Sequence, residues 1–448
     1  MTPDSALASA DAVIAAGVRA PALPDSTPAL ALAEPVAHWP VRTEHFLAAH
    51  IRWASQRLAV LTEGTEGDAE RAVLDACARH YEHARIGQHT VEQLAARWAQ
   101  NFLLTLRRDP PWATAHAEPW HGQPAFAVAA GPSLDKNGHL LRAAQKRGPV
   151  LAVNTSASAC LFHSVRPDAC VCCEAKDLSA HLLPLRGLRV PVALSACAST
   201  ENWDACEPER AWGFVGHEPA LVPYAIELGC PPLHFGGSVA CAAVSLAIQW
   251  GCSEIVLVGQ DLGYTDGRLY ATGTPFEDLR AEVRDGLVHV TGASKQRHPA
   301  PVVWRAGWGD GEPVASVREM DGFAAWLSKA ASVVPITNAT EGGARIAGTR
   351  EEPLASVIAR TSERGSLGAG FGVWRSPRTR DVTLRLAASA RACLAGDACM
   401  PPAGLSLLHM YCVPAVLGWT HGLPLRARKA SMRAAMERGC REILEVLE

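Results

Sequence analysis

The chain has 448 residues, 48% hydrophobic and 19% charged, with 42 Lys and Arg against 45 Asp and Glu for a net charge of −3. That length allows two or three domains with a sizeable core, and the composition excludes disorder as the main state. The charge balance offers no global field for a nucleic acid or an acidic membrane, so no nucleic-acid partner is expected.

Residues 1–40 are rich in Ala and Pro with little periodicity and read as a disordered leader. Met1 to Leu61 holds no basic segment followed by an apolar one, so no secretory signal is expected. The 14 Cys then read as reduced, buried thiols of a cytoplasmic protein. From Thr43 onward Phe46, Leu47, Ile51, Ala54 and Leu58 recur at helical spacing, and two more helical stretches follow near 69–85 and 90–107. Asp109-Pro110-Pro111 ends them, so residues 41–118 read as a helical N-terminal region.

From Pro124 short apolar runs alternate with helical stretches. The runs are Ala125–Ala130, Val150–Val153, Ala169–Cys173, Val190–Leu194, Ile255–Val258 and Val333–Ile336. Strands apolar throughout, separated by helices, predict a parallel sheet covered on both faces. Residues 119–350 therefore read as an α/β domain with a Rossmann-like parallel-sheet core. Within it, 262–315 is rich in Gly, Asp, Arg and Trp and reads as one long loop. Residues 351–380 read as a linker and 381–448 as a helical C-terminal region. The apolar stretch Val239–Trp250 is too short to cross a membrane and carries Gln249, so it reads as a buried helix.

Several strand ends carry polar residues suited to a ligand. Phe126 to Ala130 runs into Gly131-Pro132-Ser133-Leu134-Asp135, a tight turn opening a helix. Gly131 permits close backbone approach, Ser133 is placed to cap the helix, and the helix start suits a phosphate. The turn reads equally as an ordinary capped strand–helix junction. Val150 to Val153 ends in Asn154, either a ligand contact or a cap. Asp168 to Cys173 ends in Glu174, a site candidate. Cys170 and Cys172 fall on the strand face opposite Cys173 and lack a second C-x-x-C or H-x-x-H, so they read as buried thiols rather than metal ligands. Gly236-Gly237-Ser238 repeats the strand–Gly–Ser–helix pattern and could form a second anion nest. Ile255 to Val258 delivers Gly259-Gln260-Asp261 to the same edge, where a carboxylate could orient hydroxyls, hold Mg²⁺ or act as a base. Thr337 to Arg345 adds Glu341 and two glycines. Polar ends converging on one edge of a parallel sheet predict a pocket.

In this order, Gly131-Pro-Ser-Leu-Asp, the Asn154 strand, Pro167-Asp168, Gly237-Ser-Val-Ala, Gly259-Gln-Asp-Leu and Asn338-Ala-Thr-Glu-Gly-Gly-Ala-Arg-Ile resemble the motility accessory factor (Maf) family. Its core is shared with a broader MptE-like family named for an archaeal pterin diphosphokinase, and the resemblance covers about residues 120–350. It implies a sialyltransferase-like domain between N- and C-terminal regions. It also implies a cytoplasmic glycosyltransferase that moves a sialic-acid-like nonulosonic acid from a CMP-activated donor to Ser or Thr of flagellin. The partners implied are a nucleotide sugar and a flagellin-like acceptor, with no cofactor beyond the donor. On this resemblance Gly131, Pro132, Ser133 and Asn154 meet the nucleotide, Gly237 and Ser238 line the same cleft, and Gln260, Asp261 and Glu341 face sugar or acceptor. Asp261 is the expected essential catalytic residue, with Tyr264 and Tyr270 secondary. Members of the family often read Gln-Asp-Leu-Ala-Tyr and then a His, where this chain has Gly263-Tyr264 and then Tyr270, and Glu174-Ala175 stand where an Asp-Pro pair is common. Two alternatives stay open. One is an MptE-like diphosphokinase that uses ATP and Mg²⁺ held by Asp261 and Glu174. The other is a non-catalytic protein that binds flagellin or a chaperone.

Overall fold

Apolar runs too short to bury themselves pair side by side, and here they build two separate parallel sheets. The computed structural model describes every residue except 1–9, 11, 17–26, 33–38, 51–55, 63–66, 114–119, 219, 295–297, 364–372, 375, 396–409, 411–424 and 448. It divides into one unit of Met1–Ala95 with Val413–Arg428 and another of Ala96–Cys412 with Lys429–Glu448.

The first unit carries a three-stranded parallel sheet of β1 (Ala12–Ala16), β2 (Ala29–Leu32) and β3 (Leu58–Thr62), with β1 in the centre. Every β1 residue is buried, and Ile14, Leu47 and Val73 share one core. The stretch read as a disordered leader therefore contains the central strand of a sheet. Its Ala-Val-Ile-Ala-Ala run is short and rich in small residues, which let neighbours close on both faces but carry no period. Leu58, counted above on a helical face, begins β3 instead. The two helical stretches near 69–85 and 90–107 are one helix, Asp68–Arg108. Gly87 within it costs about 1 kcal/mol against Ala, too little to break 41 residues of helix.

The second unit is organised by a sheet of ten strands. In chain order they are β4 (Trp112–Ala113), β5 (Pro124–Val128), β6 (Val150–Val153), β7 (Ala169–Cys172), β8 (Val192–Ser195), β9 (Ala211–Phe214), β10 (Glu254–Val258), β16 (Ile336–Asn338), β17 (Arg350–Glu351) and β18 (Val373–Trp374). The spatial order is β17-β16-β10-β5-β6-β7-β8-β9-β4-β18, parallel throughout except for the β18–β4 pair. The expected doubly covered parallel sheet is thus present. Its core joins Phe126, Val128, Val150, Leu194, Val256 and Val258, and the helix Val239–Gln249 is buried along most of its length. Among the described residues every Cys is a free thiol. Cys170 and Cys172 are wholly buried, and burial pushes the Cys172 thiol up to about 12. No helix among the described residues is long and apolar enough to cross a membrane.

Elsewhere tertiary packing decides. β9, Ala-Trp-Gly-Phe, has too little apolar run to read as a strand, and Gly213 is needed because a Cβ there would lie 2.9 Å from the Trp112 ring. The region read as one long loop contains two small antiparallel sheets. One is β11 (Arg280–Arg284), β12 (Leu287–Thr291) and β13 (Ala300–Pro301); the other is β14 (Val303–Arg305) with β15 (Val314–Ser316). They gather around Leu279, Val288 and Val317. The stretch read as a linker includes the helix Leu354–Arg360, whose Leu354 and Val357 join the main core. Pro401-Pro402 lies outside the described residues.

One helical side chain ties strand ends together. Asn101, buried, donates through Nδ2 to the carbonyls of Ala175 (3.1 Å) and Cys197 (2.9 Å), which follow β7 and β8. Asn101→Ala strands both carbonyls without that donor and is expected to destabilise the unit by about 1–3 kcal/mol. A urea titration reads the cost as a fall in the unfolding midpoint at unchanged slope; an unmoved midpoint would mean that the bonds contribute nothing.

Candidate functional site

The chain leaves β5 toward β6 on one side and later returns to place β10 and β16 on the other. Where strand order reverses in this way, the loops after the two central strands diverge and leave a crevice at their carboxyl ends. Here those loops are Ala129 to Ser133 after β5 and Gly259 to Asp261 after β10. Backbone bonds bind them together: Ala129 N–H donates to the Val258 carbonyl (2.9 Å), and Gly131 N–H to the Gly259 carbonyl (2.8 Å).

Asp261 is buried between the two loops. Its Oδ2 accepts from Ser133 Oγ (2.5 Å), and its Oδ1 accepts from Thr265 Oγ1 (2.7 Å) and the Ser133 N–H (3.2 Å). Burial pushes its carboxyl above the ordinary range, and the bonds from Ser133 and Thr265 only partly offset this. A Cβ on Gly131 would run into the Asp261 carboxylate and the Gly259 carbonyl, so only glycine fits. The loop after β16 completes the junction. Gln260 N–H donates to Thr340 Oγ1 (3.2 Å), Ala344 N–H donates to the Asp261 carbonyl (2.6 Å), and Gly343 takes a left-handed φ of 70° against the Asp261 backbone.

A cleft of about 220 Å³ opens in front of this junction. Gly131, Thr155, Ser238, Gln260, Asp261 and Tyr270 line it, with Met320 and Phe323 supplying an apolar side. Two helices begin at its wall, Asn154–Phe162 and Val239–Gln249, and Ser238 caps the second by accepting from Ala240 N–H (3.3 Å). Helix starts present uncommitted N–H groups and the positive end of a dipole, so the cleft suits an anion.

The other residues singled out in the sequence fall at varied distances from this cleft. Ser133 does not cap the helix that follows it; that helix, Leu134–Asn137, is a single turn, and the hydroxyl turns to Asp261 instead. Pro132 is buried in the same turn. Asn154 is buried in the first turn of its helix, while its neighbours Val153 and Thr155 line the cleft. Gly237 precedes the cap at φ 81°, with the Phe323 ring 3.7 Å from where a Cβ would stand. Tyr264 lines a different cleft, together with Thr265 and Glu341. The Glu341 carboxylate is turned inward, accepting at Oε1 from Asn137 Nδ2 and Leu354 N–H, both at 3.0 Å. Glu174 follows β7, three strands from β10 in the sheet, and does not line this cleft. Among the described residues no group of three or more His, Cys, Asp or Glu is placed to hold a metal ion.

The sequence reading missed a clamp beside the junction. Asp135 accepts from Arg268 Nη1 (2.6 Å), Thr272 Oγ1 (2.8 Å) and the Thr272 N–H (2.9 Å). Ala271 N–H donates to the Ala130 carbonyl (2.9 Å), so the segment after Asp261 is fastened back onto β5. Asp135 was visible only as the last residue of the Gly131-Pro-Ser-Leu-Asp motif; Arg268 and Thr272 carry no local signal.

Residues 101–267 match the family model described as 6-hydroxymethylpterin diphosphokinase MptE-like, a span that includes Ser133, Asp261 and Thr265. The fold is similar to that of the Maf glycosyltransferase from Magnetospirillum magneticum AMB-1, with a TM-score of 0.55 and 15% identity over 94% of this chain and 69% of that one. A search of curated protein sequences gives no match. Residues 101–267 are thus similar to the MptE-like family, as the ordered motifs implied.

The clamp has a pH signature. Burial pushes Asp135 up, but the hydrogen bonds from Arg268 and Thr272 outweigh it and hold the carboxyl below its ordinary value. A carboxyl with a lowered folded pKa contributes stability above its unfolded pKa of about 4 and loses it as pH falls through the folded value. Asp135→Asn should therefore be less stable than the wild type at neutral pH, and the gap should close on acidification below about pH 4. Denaturant titrations of both proteins across that range measure the gap; a constant difference would assign the loss to packing rather than charge.

Proposed function

We propose that this MptE-like protein with a Maf-type fold is a glycosyltransferase. It moves a sialic-acid-like nonulosonic acid from a CMP-activated donor to Ser or Thr hydroxyls of a flagellin-type acceptor, in the cytoplasm and in the service of flagellar assembly. The observation that carries the reading is the anion-suited cleft at the strand-order reversal, with Asp261 buried in its wall. The MptE-like match and the shared fold support the class.

In this reading the donor phosphate lies against the starts of the helices Asn154–Phe162 and Val239–Gln249, which open at the cleft wall. The bond from the sugar's anomeric carbon to the phosphate oxygen breaks, and CMP leaves with the electron pair. Backbone N–H groups fixed before reaction stabilise that developing charge without reorganising. The acceptor oxygen bonds the anomeric carbon, and its proton passes to a carboxylate. Asp261 is assigned that proton, because burial raises its proton affinity toward the range useful to a base. Its hydrogen bonds to Ser133 also hold the Gly131–Ser133 turn in place at the cleft wall. Tyr270 and Gln260, on the cleft wall, are assigned to the sugar. The reading needs no metal ion, because N–H groups take the phosphate charge.

Ligand-dependent melting tests it, with CMP, CMP-sialic acid, UDP-sugars and ATP, each with and without Mg²⁺. A ligand at 100 times its Kd adds about 2.7 kcal/mol to stability. CMP compounds should raise the melting temperature with or without Mg²⁺. Asp261→Asn should retain its fold and lose roughly 100-fold or more in sugar transfer. A rise with ATP only in the presence of Mg²⁺ would favour a diphosphokinase, and no rise with any nucleotide would favour a binding protein.

A further inference from the structure

The second cleft, about 490 Å³, lies along the Tyr264 to Gly267 segment and is unlike the first in chemistry. Its floor is glycine: Gly342 sits against Ser133, where a Cβ would stand 3.0 Å from the Ser133 Cβ, and Gly343 packs on the Asp261 backbone. Its wall is apolar and exposed. Trp304 on β14 is 60% exposed and Val283 on β11 is 37% exposed, although both strands are held by antiparallel pairing. Its rim is acidic. Asp266 and Glu312 line it and are exposed, whereas the Glu341 carboxylate is turned inward and Lys136 is drawn to the Glu341 carbonyl (3.1 Å).

Thr265 connects the two clefts. It lines the second one, and its hydroxyl donates to Asp261 Oδ1, which faces the first. A group held in the second cleft is thus one side chain away from the carboxylate.

We propose that this cleft binds the acceptor as an extended polypeptide segment bearing a Ser or Thr hydroxyl next to a basic side chain. The proposal rests on the glycosyltransferase reading, which requires an acceptor hydroxyl beside the donor. A glycine floor admits a peptide backbone at close range. An exposed, strand-mounted Trp offers a rigid platform of the kind that dominates recognition of partner chains. Asp266 and Glu312 select for Lys or Arg by charge.

The test uses the full chain and two fluorescein-labelled peptides, Gly-Ser-Thr-Lys-Ser-Thr-Gly and its counterpart with Glu in place of Lys, read by anisotropy. The wild type should bind the Lys peptide more tightly. Trp304→Ala should weaken binding of the Lys peptide by about fivefold or more, as truncation of an aromatic anchor does. Glu312→Lys should shift the preference toward the Glu peptide. The CMP-induced rise in melting temperature should survive both substitutions, since neither residue touches the first cleft. Failure of the wild type to bind either peptide, a preference for Glu, or unchanged binding by Trp304→Ala overturns the proposal. Trp304-dependent peptide binding without any CMP effect would sink the glycosyltransferase reading and leave the peptide site standing. A CMP effect without Trp304-dependent binding would do the reverse.

Discussion

A carboxylate taken out of water has to be met by hydrogen-bond donors or it will not stay charged and buried. Asp261 is met by donors from two places: the Ser133 hydroxyl and amide after β5, and the Thr265 hydroxyl in its own loop. Those bonds make the loops after β5 and β10 one object. The backbone links from Gly131 to Gly259 and from Ala344 to Asp261 tighten it, and the glycines at 131, 259 and 343 are the residues small enough to let three chain segments approach. The geometry of both clefts follows from this junction. One opens on the side of Gly131 and Gln260, the other on the side of Thr265 and Gly342.

The segment after Asp261 could have been a loose excursion. It is instead fastened at intervals: Arg268 and Thr272 to Asp135, Ala271 to Ala130, Tyr264 to Ala315, and the Ser316 hydroxyl to the Leu262 carbonyl. Two small antiparallel sheets follow, and they supply the exposed Trp304 and Val283 of the second cleft. A region without periodicity thus acquires order from pairing, from the apolar cluster around Leu279, Val288 and Val317, and from the Arg268–Asp135 anchor.

Legibility in the sequence follows how local the cause is. The runs around Phe126, Val150, Val171, Leu194 and Val256 are apolar throughout, and a strand covered on both faces needs only that, so the parallel sheet could be read directly. Ala12–Ala16 and Ala211–Phe214 are also buried strands, but small residues and a central Gly hide them, because their burial depends on what packs over them. At the site, Gly131, Ser238, Gln260 and Asp261 were legible as polar or small residues ending strands. Ser133 was legible as a residue of consequence, but its hydroxyl goes to a carboxylate 128 positions away rather than to the helix beside it. Glu174 carried the same local signature as Asp261, and only strand order sets it three strands aside.

The sequence by itself determined that this chain forms a two-sided parallel sheet, that small and polar residues gather at the ends of its strands, and that the ordered motifs are similar to those of an MptE-like domain. Those are consequences of hydrophobic run length, of glycine's freedom and of residue order, each of which acts within a few neighbours. Tertiary structure alone decided which strand ends meet, that Asp261 is buried with Ser133 while Glu174 is not, and that Arg268 answers Asp135. Pairings between residues more than a hundred positions apart are set by where the sheet reverses its strand order, and no local pattern encodes that reversal.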